Sequence, residues 1–148
     1  MNMPQLNLPD ATLKIKLVEG TTQVFGQVRK KYLRLTPEEW VRQHFIYYLN
    51  KEKNYPIGLM GVEKMIKYNK IKTRADIVLY TTNRTPIMIV ECKAPEVDIT
   101  QETFNQIAKY NSQLKVNLLV VTNGMKHFCC TMDYANNQIE FLTEIPNF

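Results

Sequence analysis

Residues 74–80, Arg-Ala-Asp-Ile-Val-Leu-Tyr, and residues 86–94, Pro-Ile-Met-Ile-Val-Glu-Cys-Lys-Ala, carry apolar side chains at both odd and even positions. A strand that is apolar on both faces must be covered on both, as at the centre of an α/β sheet with helices on either side. The polar run 81–85 between the two segments predicts a hairpin. Three charged residues nevertheless interrupt these strands: Asp76, Glu91 and Lys93. A buried charge without a partner is costly, so each of them needs a chemical reason to be there.

The remaining elements fit around that centre. Residues 13–18 and 23–28 read as short strands joined through Glu19-Gly20-Thr21-Thr22, a hairpin at the edge of the main fold. Thr36-Pro37-Glu38-Glu39 combines an N-cap threonine, a proline at the first helical position and a glutamate placed for a capping box. The helix it starts should run to about Lys51, with Val41, Phe45, Tyr48 and Leu49 as its buried stripe and Arg42, Gln43 and Asn50 away from the stripe's centre. After the breaker cluster 54–58, residues 60–68 predict a strand whose lysines at 64, 67 and 70 limit its burial. A second helix is expected over about 100–114, with Phe104, Ile107, Ala108 and Leu114 inward, followed by a buried strand at 116–122. With the strand before it this makes a βαβ unit, which crosses over right-handed. Asn123-Gly124 ends the last of these strands, and 127–134 with 138–142 predict a terminal hairpin around Ala135-Asn136-Asn137. The expectation is one domain over 1–148. It is an α/β fold with a mixed central sheet flanked by helices, and with N-terminal and C-terminal hairpins.

Composition narrows the setting. A hydrophobic share of 45% and a charged share of 22% are those of an ordinary globular chain. The longest apolar runs, 86–90 and 118–121, fall far short of the roughly 20 residues that span a bilayer. The first ten residues lack the basic start, apolar middle and small-residue cleavage site of a secretory signal. Three cysteines, Cys92, Cys129 and Cys130, form neither a disulfide framework nor a zinc-ligand spacing, so a reducing cytoplasm is the expected setting. The net charge of +5 and the pI near 9.1 are compatible with a polyanionic partner without singling one out.

Alternation along a strand puts Glu91 and Lys93 on one face and Cys92 on the other. If the hairpin is centred between Asn83 and Arg84, Asp76 stands directly opposite Glu91, with Cβ atoms roughly 5 Å apart. Two carboxylates at that separation repel unless a cation lies between them. A hard ion, Mg²⁺ or Mn²⁺, suits the donors on offer: the two carboxylates, the backbone carbonyl of Cys92 and water. Lys93 would then orient or help deprotonate an attacking water and offset charge on the transition state of phosphoryl transfer. A cross-strand salt bridge that merely pins the sheet is the alternative for the same three residues.

This stretch resembles the PD-(D/E)xK nucleases. Glu91-Cys92-Lys93 matches the E-x-K half and Asp76 the aspartate of the preceding strand, with Ala75 where a proline is usual. Gln106-Ile107-Ala108-Lys109-Tyr110 matches the Q-x-x-x-Y helix motif of the RecB-like branch, which includes the N-terminal nuclease domain of type I restriction R subunits. Residues 36–43 are similar to that domain's first helix and 121–124 to its following strand, so the likeness covers nearly the whole chain. It implies a restriction-endonuclease-like fold, Mg²⁺- or Mn²⁺-dependent hydrolysis of DNA, and Gln106 and Tyr110 as substrate contacts from one helix face. It also implies that a glutamate of the first helix joins the metal site. Glu39 is expected in the capping box while Glu38 lies nearer the Val41 and Phe45 stripe, which favours Glu38; simple pairing with the helix dipole is the alternative for both.

Arg29, Lys30, Lys31 and Arg34 form the densest basic cluster, and Lys64, Lys67, Lys70, Lys72 and Arg74 a second. Either would contact phosphates without reading bases, or would be solvated charge that keeps strand edges apart. His44 and His127 are expected to be satisfied packing residues. No G-x-x-x-x-G-K-[ST] loop occurs, so ATP-driven translocation is not expected of this chain alone; it is either a stand-alone protein or a fragment whose partners, other subunits of a restriction or DNA-processing system, provide target choice. A non-catalytic module that binds nucleic acid or protein with the same fold is the rival reading.

Overall fold

The computed structural model describes residues 3–148. Met1 and Asn2, the first residues of the stretch read for a secretory signal, lie outside the described residues.

The chain begins with an antiparallel three-stranded sheet in the order β1 (Ile15–Val18), β2 (Thr21–Gly26), β3 (Lys31–Arg34). The β1–β2 turn is tighter than its sequence suggests. Glu19 and Gly20 both take positive φ, 49° and 80°, so β2 starts at Thr21. The basic cluster hid a third strand. Lys31–Arg34 alternates so that Leu33 pairs with the fully buried Val24.

Helix α1 (Pro37–Lys53) starts as its sequence dictates, with the Thr36 hydroxyl accepting the Glu39 N–H at 3.0 Å and Pro37 in the first turn. It ends two residues beyond the expected Lys51, where Asn54 takes a left-handed conformation at φ 65°. Val41, Phe45 and Leu49 are fully buried. Arg42 and Gln43 are buried too, contrary to the expectation that they lie off the packed stripe. The cause is the small sheet, which covers a second flank of α1. The Gln43 side-chain carbonyl accepts the Gln27 backbone N–H at 3.1 Å, and the Gln43 backbone carbonyl accepts Gln27 Nε2 at 2.9 Å.

A six-stranded mixed sheet follows in chain order: β4 (Met60–Tyr68), β5 (Ile71–Tyr80), β6 (Pro86–Cys92), β7 (Leu118–Thr122), β8 (His127–Asp133) and β9 (Gln138–Leu142). Only β6 and β7 among these neighbours run parallel, joined through α2 (Gln101–Ser112), as a βαβ unit requires. Period-two alternation divides the core. Ile77, Leu79, Met88 and Val90 pack with α1, whereas Val78, Ile89, Leu119 and Val121 pack with Phe104 and Ala108 of α2. No helix among the described residues is long and apolar enough to cross a membrane.

The turn after β7 fixes the edge of this core. Gly124 has φ +85°, and a Cβ added there would come within 2.8 Å of a Leu6 methyl and 3.1 Å of a Val41 methyl. Gly124→Ala is therefore expected to cost about 1–3 kcal/mol, from left-handed strain and from displaced packing. Urea denaturation checks this, and an unchanged midpoint would remove the packing argument. The same strand end holds the neighbouring chain, because the Thr122 carbonyl accepts the Lys93 N–H at 2.8 Å.

Candidate active site

β5 and β6 pair through Ile77 with Val90, Val78 with Ile89 and Leu79 with Met88. One more step of that register, set by a bulge between Leu79 and Tyr80 near the turn, puts Asp76 against Glu91. The Cys92 N–H donates to Asp76 Oδ2 at 2.7 Å, which ties the aspartate across the strand gap. Burial pushes the Glu91 carboxyl up to about 8, and the charge of Asp76 and a hydrogen bond with it push the same way; Lys93 opposes them. Glu91 thus holds its proton above the ordinary carboxylate range.

Glu38, in the first turn of α1, belongs to the same cluster. Its carboxyl is raised first by burial and next by Asp76, and lowered by Arg42 and Lys93. The first turn of a helix and two adjacent strands therefore bring Glu38, Asp76, Glu91 and Lys93 together. Glu39 points elsewhere. Its N–H is capped by Thr36, but its carboxylate accepts Gln43 Nε2 at 3.0 Å and lies 3.5 Å from Arg42 Nε, rather than turning back on the cap.

Arg42 is the functional candidate that sequence reasoning missed. It is 5% exposed and stands among acids: Glu63 at 3.3 Å, Glu39 at 3.5 Å and Glu38 at 3.8 Å. Burial alone would weaken its hold on its proton, but Glu39, Asp76 and Glu63 more than reverse that, so the guanidinium stays charged. The Nε and Nη1 groups are within ion-pair reach of these carboxylates, yet their angles make no hydrogen bond. Glu63 in turn accepts Arg29 Nη2 at 2.6 Å, and that bond holds its carboxyl below the usual range. Glu63 adopts φ 51° within β4, at the one place where the ladder to β5 skips a pair, opposite Asp76. The spacing of Arg42 from Glu38 and Glu39 was visible as helix-surface pairing. Its long-range partner on β4 left no local signal.

The other candidates lie apart. Gln106 and Tyr110 are exposed on α2, on the side away from the buried Phe104 and Ala108, and no hydrogen bond among the described residues joins either to the carboxylates. Lys30 and Lys31 are exposed at the β2–β3 turn, next to the Arg29 that reaches Glu63. The Cys92 thiol is buried toward α1, and burial raises it well above its ordinary value, so it is no nucleophile. His44 Nδ1 lies 2.8 Å from the Trp40 carbonyl, and His127 meets Thr122 at 2.6 Å and the Asn7 carbonyl at 2.8 Å.

No group of three or more His, Cys, Asp or Glu among the described residues is arranged as a metal-ligand set. Mg²⁺ does not need one, since it binds through one or two carboxylates and keeps several waters. The Asp76 and Glu91 pair suits such an ion in donor type, because a second positive charge offsets the burial and the repulsion by Asp76 that together make Glu91 hold its proton.

Residues 37–146 match the family described as "Type I restriction enzyme R protein N terminus (HSDR_N)". A solved fragment described as an HsdR subunit of a type I restriction enzyme from Vibrio vulnificus YJ016 shares the fold with a TM-score of 0.52 at 22% identity. The likeness covers 76% of this chain but only 24% of that one, so the present chain spans about a quarter of its length. None of the curated proteins compared with the chain matches it.

Proposed function

Because the chain belongs to the family of type I restriction enzyme R protein N termini, we propose that it hydrolyses DNA phosphodiesters at a PD-(D/E)xK-type site within a restriction system. The observation that carries this reading is the convergence of Asp76, tied to the Cys92 N–H across the strand gap, with the half-buried Glu91 opposite it and Lys93 beside them. A strand-pinning salt bridge has no use for two adjacent carboxyls on one cation. A site that exchanges a proton for a divalent metal does.

Asp76, Glu91 and the Cys92 carbonyl would hold Mg²⁺ or Mn²⁺, which would supply polarisation of the phosphate and a lowered pKa for a water. Lys93 offsets the charge gathering on the phosphate oxygens and orients the water. Glu38, whose raised carboxyl makes it a better base than an exposed glutamate, takes up a water proton at its carboxylate oxygen. Gln106 and Tyr110 contact the substrate strand, and Lys30 and Lys31 its phosphates. Partners in the restriction system supply target choice, in the cytoplasm. A binding module without catalysis is the second reading, favoured by the Arg42 guanidinium that already stands among these acids.

Plasmid and single-stranded DNA incubated with Mg²⁺ or Mn²⁺ decide between the two. Cleavage that stops on chelation supports hydrolysis. Tight binding without cleavage in either metal supports the second reading.

Stability should also carry the signature of Glu91. The folded state keeps this proton up to about pH 8, whereas the unfolded chain releases it near the ordinary glutamate value of 4.5. The unfolded state is therefore the first to lose the proton, and metal-free stability falls as pH rises through that window. Urea midpoints of metal-free protein should drop between about pH 5 and about pH 8, and drop less in Glu91→Gln. Added Mg²⁺ should offset the drop in wild type only, because it selects the deprotonated carboxylate. Equal slopes in the two proteins would sink the assignment.

A further inference from the structure

We propose that the distal half of the β4–β5 hairpin is a preformed arm that holds the phosphate backbone of duplex DNA beside Asp76. This rests on the phosphodiester reading above and adds the path of the substrate to it.

Residues 64–75 carry Lys64, Lys67, Lys70, Lys72 and Arg74 with no acidic residue among them. All five are exposed, and the ion pairs found among the described residues involve none of them. Lys67 stands directly across from Lys72, a like-charge pairing that works against the hairpin. No ion pair among the described residues offsets this repulsion, and an external polyanion would.

An edge strand is commonly lined with lysine to deter pairing with other chains, and that accounts for Lys64 and Lys67 on β4. Residues 71–75 of β5 form a second such edge, yet guarding either edge does not require Lys67 and Lys72 to stand face to face. β5 is held by β6 only from Ile77 to Tyr80, so residues 71–75 pair with β4 alone and project as a two-stranded ribbon past the carboxylates. Ile66, Thr73 and Ala75 are buried on its inner side, which makes the ribbon a fixed platform and not a loose hairpin. Lys72 and Arg74 face away from the buried Thr73 and Ala75, and Lys67 lies across from Lys72 on the same side. At roughly 3.4 Å per residue Lys72 stands about 14 Å from Asp76 along the strand, the rise of about four base pairs of duplex. Cations in a row with the site at its end suit a backbone that continues from the cleaved bond.

The test measures binding of a short fluorescent duplex to the full chain with chelator present, so that cleavage plays no part. The variant Lys67→Gln/Lys72→Gln/Arg74→Gln should bind at least about tenfold more weakly, with a salt slope shallower by about 2.7 at ~0.9 per lost phosphate contact. Lys67→Arg/Lys72→Arg should bind as wild type does. Lys51→Gln, at the far end of α1 from Glu38, is the charge control and should leave the slope within one contact of wild type. Removing mutual repulsion should not lower the melting temperature, so the triple variant remains folded and interpretable. Unchanged affinity and slope in the triple variant, or no binding of duplex by wild type, overturns the arm. Wild type that binds through these residues but never cleaves would leave the arm standing while the hydrolysis reading fell. Wild type that cleaves while the triple variant binds normally would sink the arm alone.

Discussion

Replacing Asp76 by alanine or by asparagine is expected to lower Mg²⁺-dependent DNA cleavage at least about a thousandfold, which corresponds to roughly 4 kcal/mol of transition-state stabilisation. The two substitutions separate chemistry from scaffolding. Asp76 Oδ2 accepts the Cys92 N–H at 2.7 Å, and alanine leaves that donor unpaired. An unpaired buried N–H costs about 1–3 kcal/mol, so Asp76→Ala should be both inactive and somewhat less stable. Asparagine keeps an oxygen for the same N–H but loses the negative charge, so Asp76→Asn should be as inactive with less loss of stability. Calorimetric Mg²⁺ binding then distinguishes the roles. Asp76→Asn should lose metal binding, while Lys93→Ala should keep it and still lose cleavage by about a hundredfold or more, since an ammonium near a phosphate acts on charge that develops in the reaction. Retention of a tenth of wild-type cleavage by Asp76→Asn would remove this carboxylate from the reaction.

The central geometry was legible because it rests on local rules. Apolar residues on both faces of 74–80 and 86–94 demand a covered sheet, and the turn between them pairs Tyr80 with Pro86, after which a one-residue bulge shift brings Asp76 opposite Glu91. Thr36 and Pro37 announced the start of α1 and so set Glu38 near the strand ends. What stayed hidden was tertiary. β3 is four residues long and reads as a run of basic charge, and only its pairing with β2 makes it a strand. Arg42 and Gln43 look like outward residues until the small sheet covers them, after which Gln43 bonds Gln27 and Arg42 meets Glu63. The Q-x-x-x-Y spacing shows the opposite case. It places Gln106 and Tyr110 on neighbouring turns of α2, but which face of the helix packs is decided by Phe104 and Ala108, and that choice leaves both motif residues exposed.

Arg42→Met is expected to cost about 3 kcal/mol of stability in the metal-free protein, near the lower end for breaking a buried ion pair. Replacing a whole buried ion pair with apolar groups can be neutral, but here only the cation leaves. The Glu39 carboxylate, on a residue 8% exposed, is left with the Gln43 amide as its only hydrogen-bond partner among the described residues, Glu38 loses its ion-pair partner at 3.8 Å, and Asp76 and Glu63 each lose one of the positive charges that face them. Glu63 still holds Arg29 at 2.6 Å, which is why the loss should stay at the lower end. Two further observations identify the cause as charge and not lost packing. The deficit should shrink toward pH 5, where carboxylates deprived of a cation take up protons instead. Mg²⁺ should stabilise the variant more than wild type, because a ligand stabilises in proportion to how much better it binds the folded state, and the variant offers it more uncompensated charge. Urea denaturation at two pH values, with and without Mg²⁺, measures all three. A variant as stable as wild type without metal would show that Arg42 does not hold these acids together. A loss unchanged by pH and metal would assign it to packing. The predicted pattern instead makes the guanidinium the resident counter-charge of a site that a divalent cation completes.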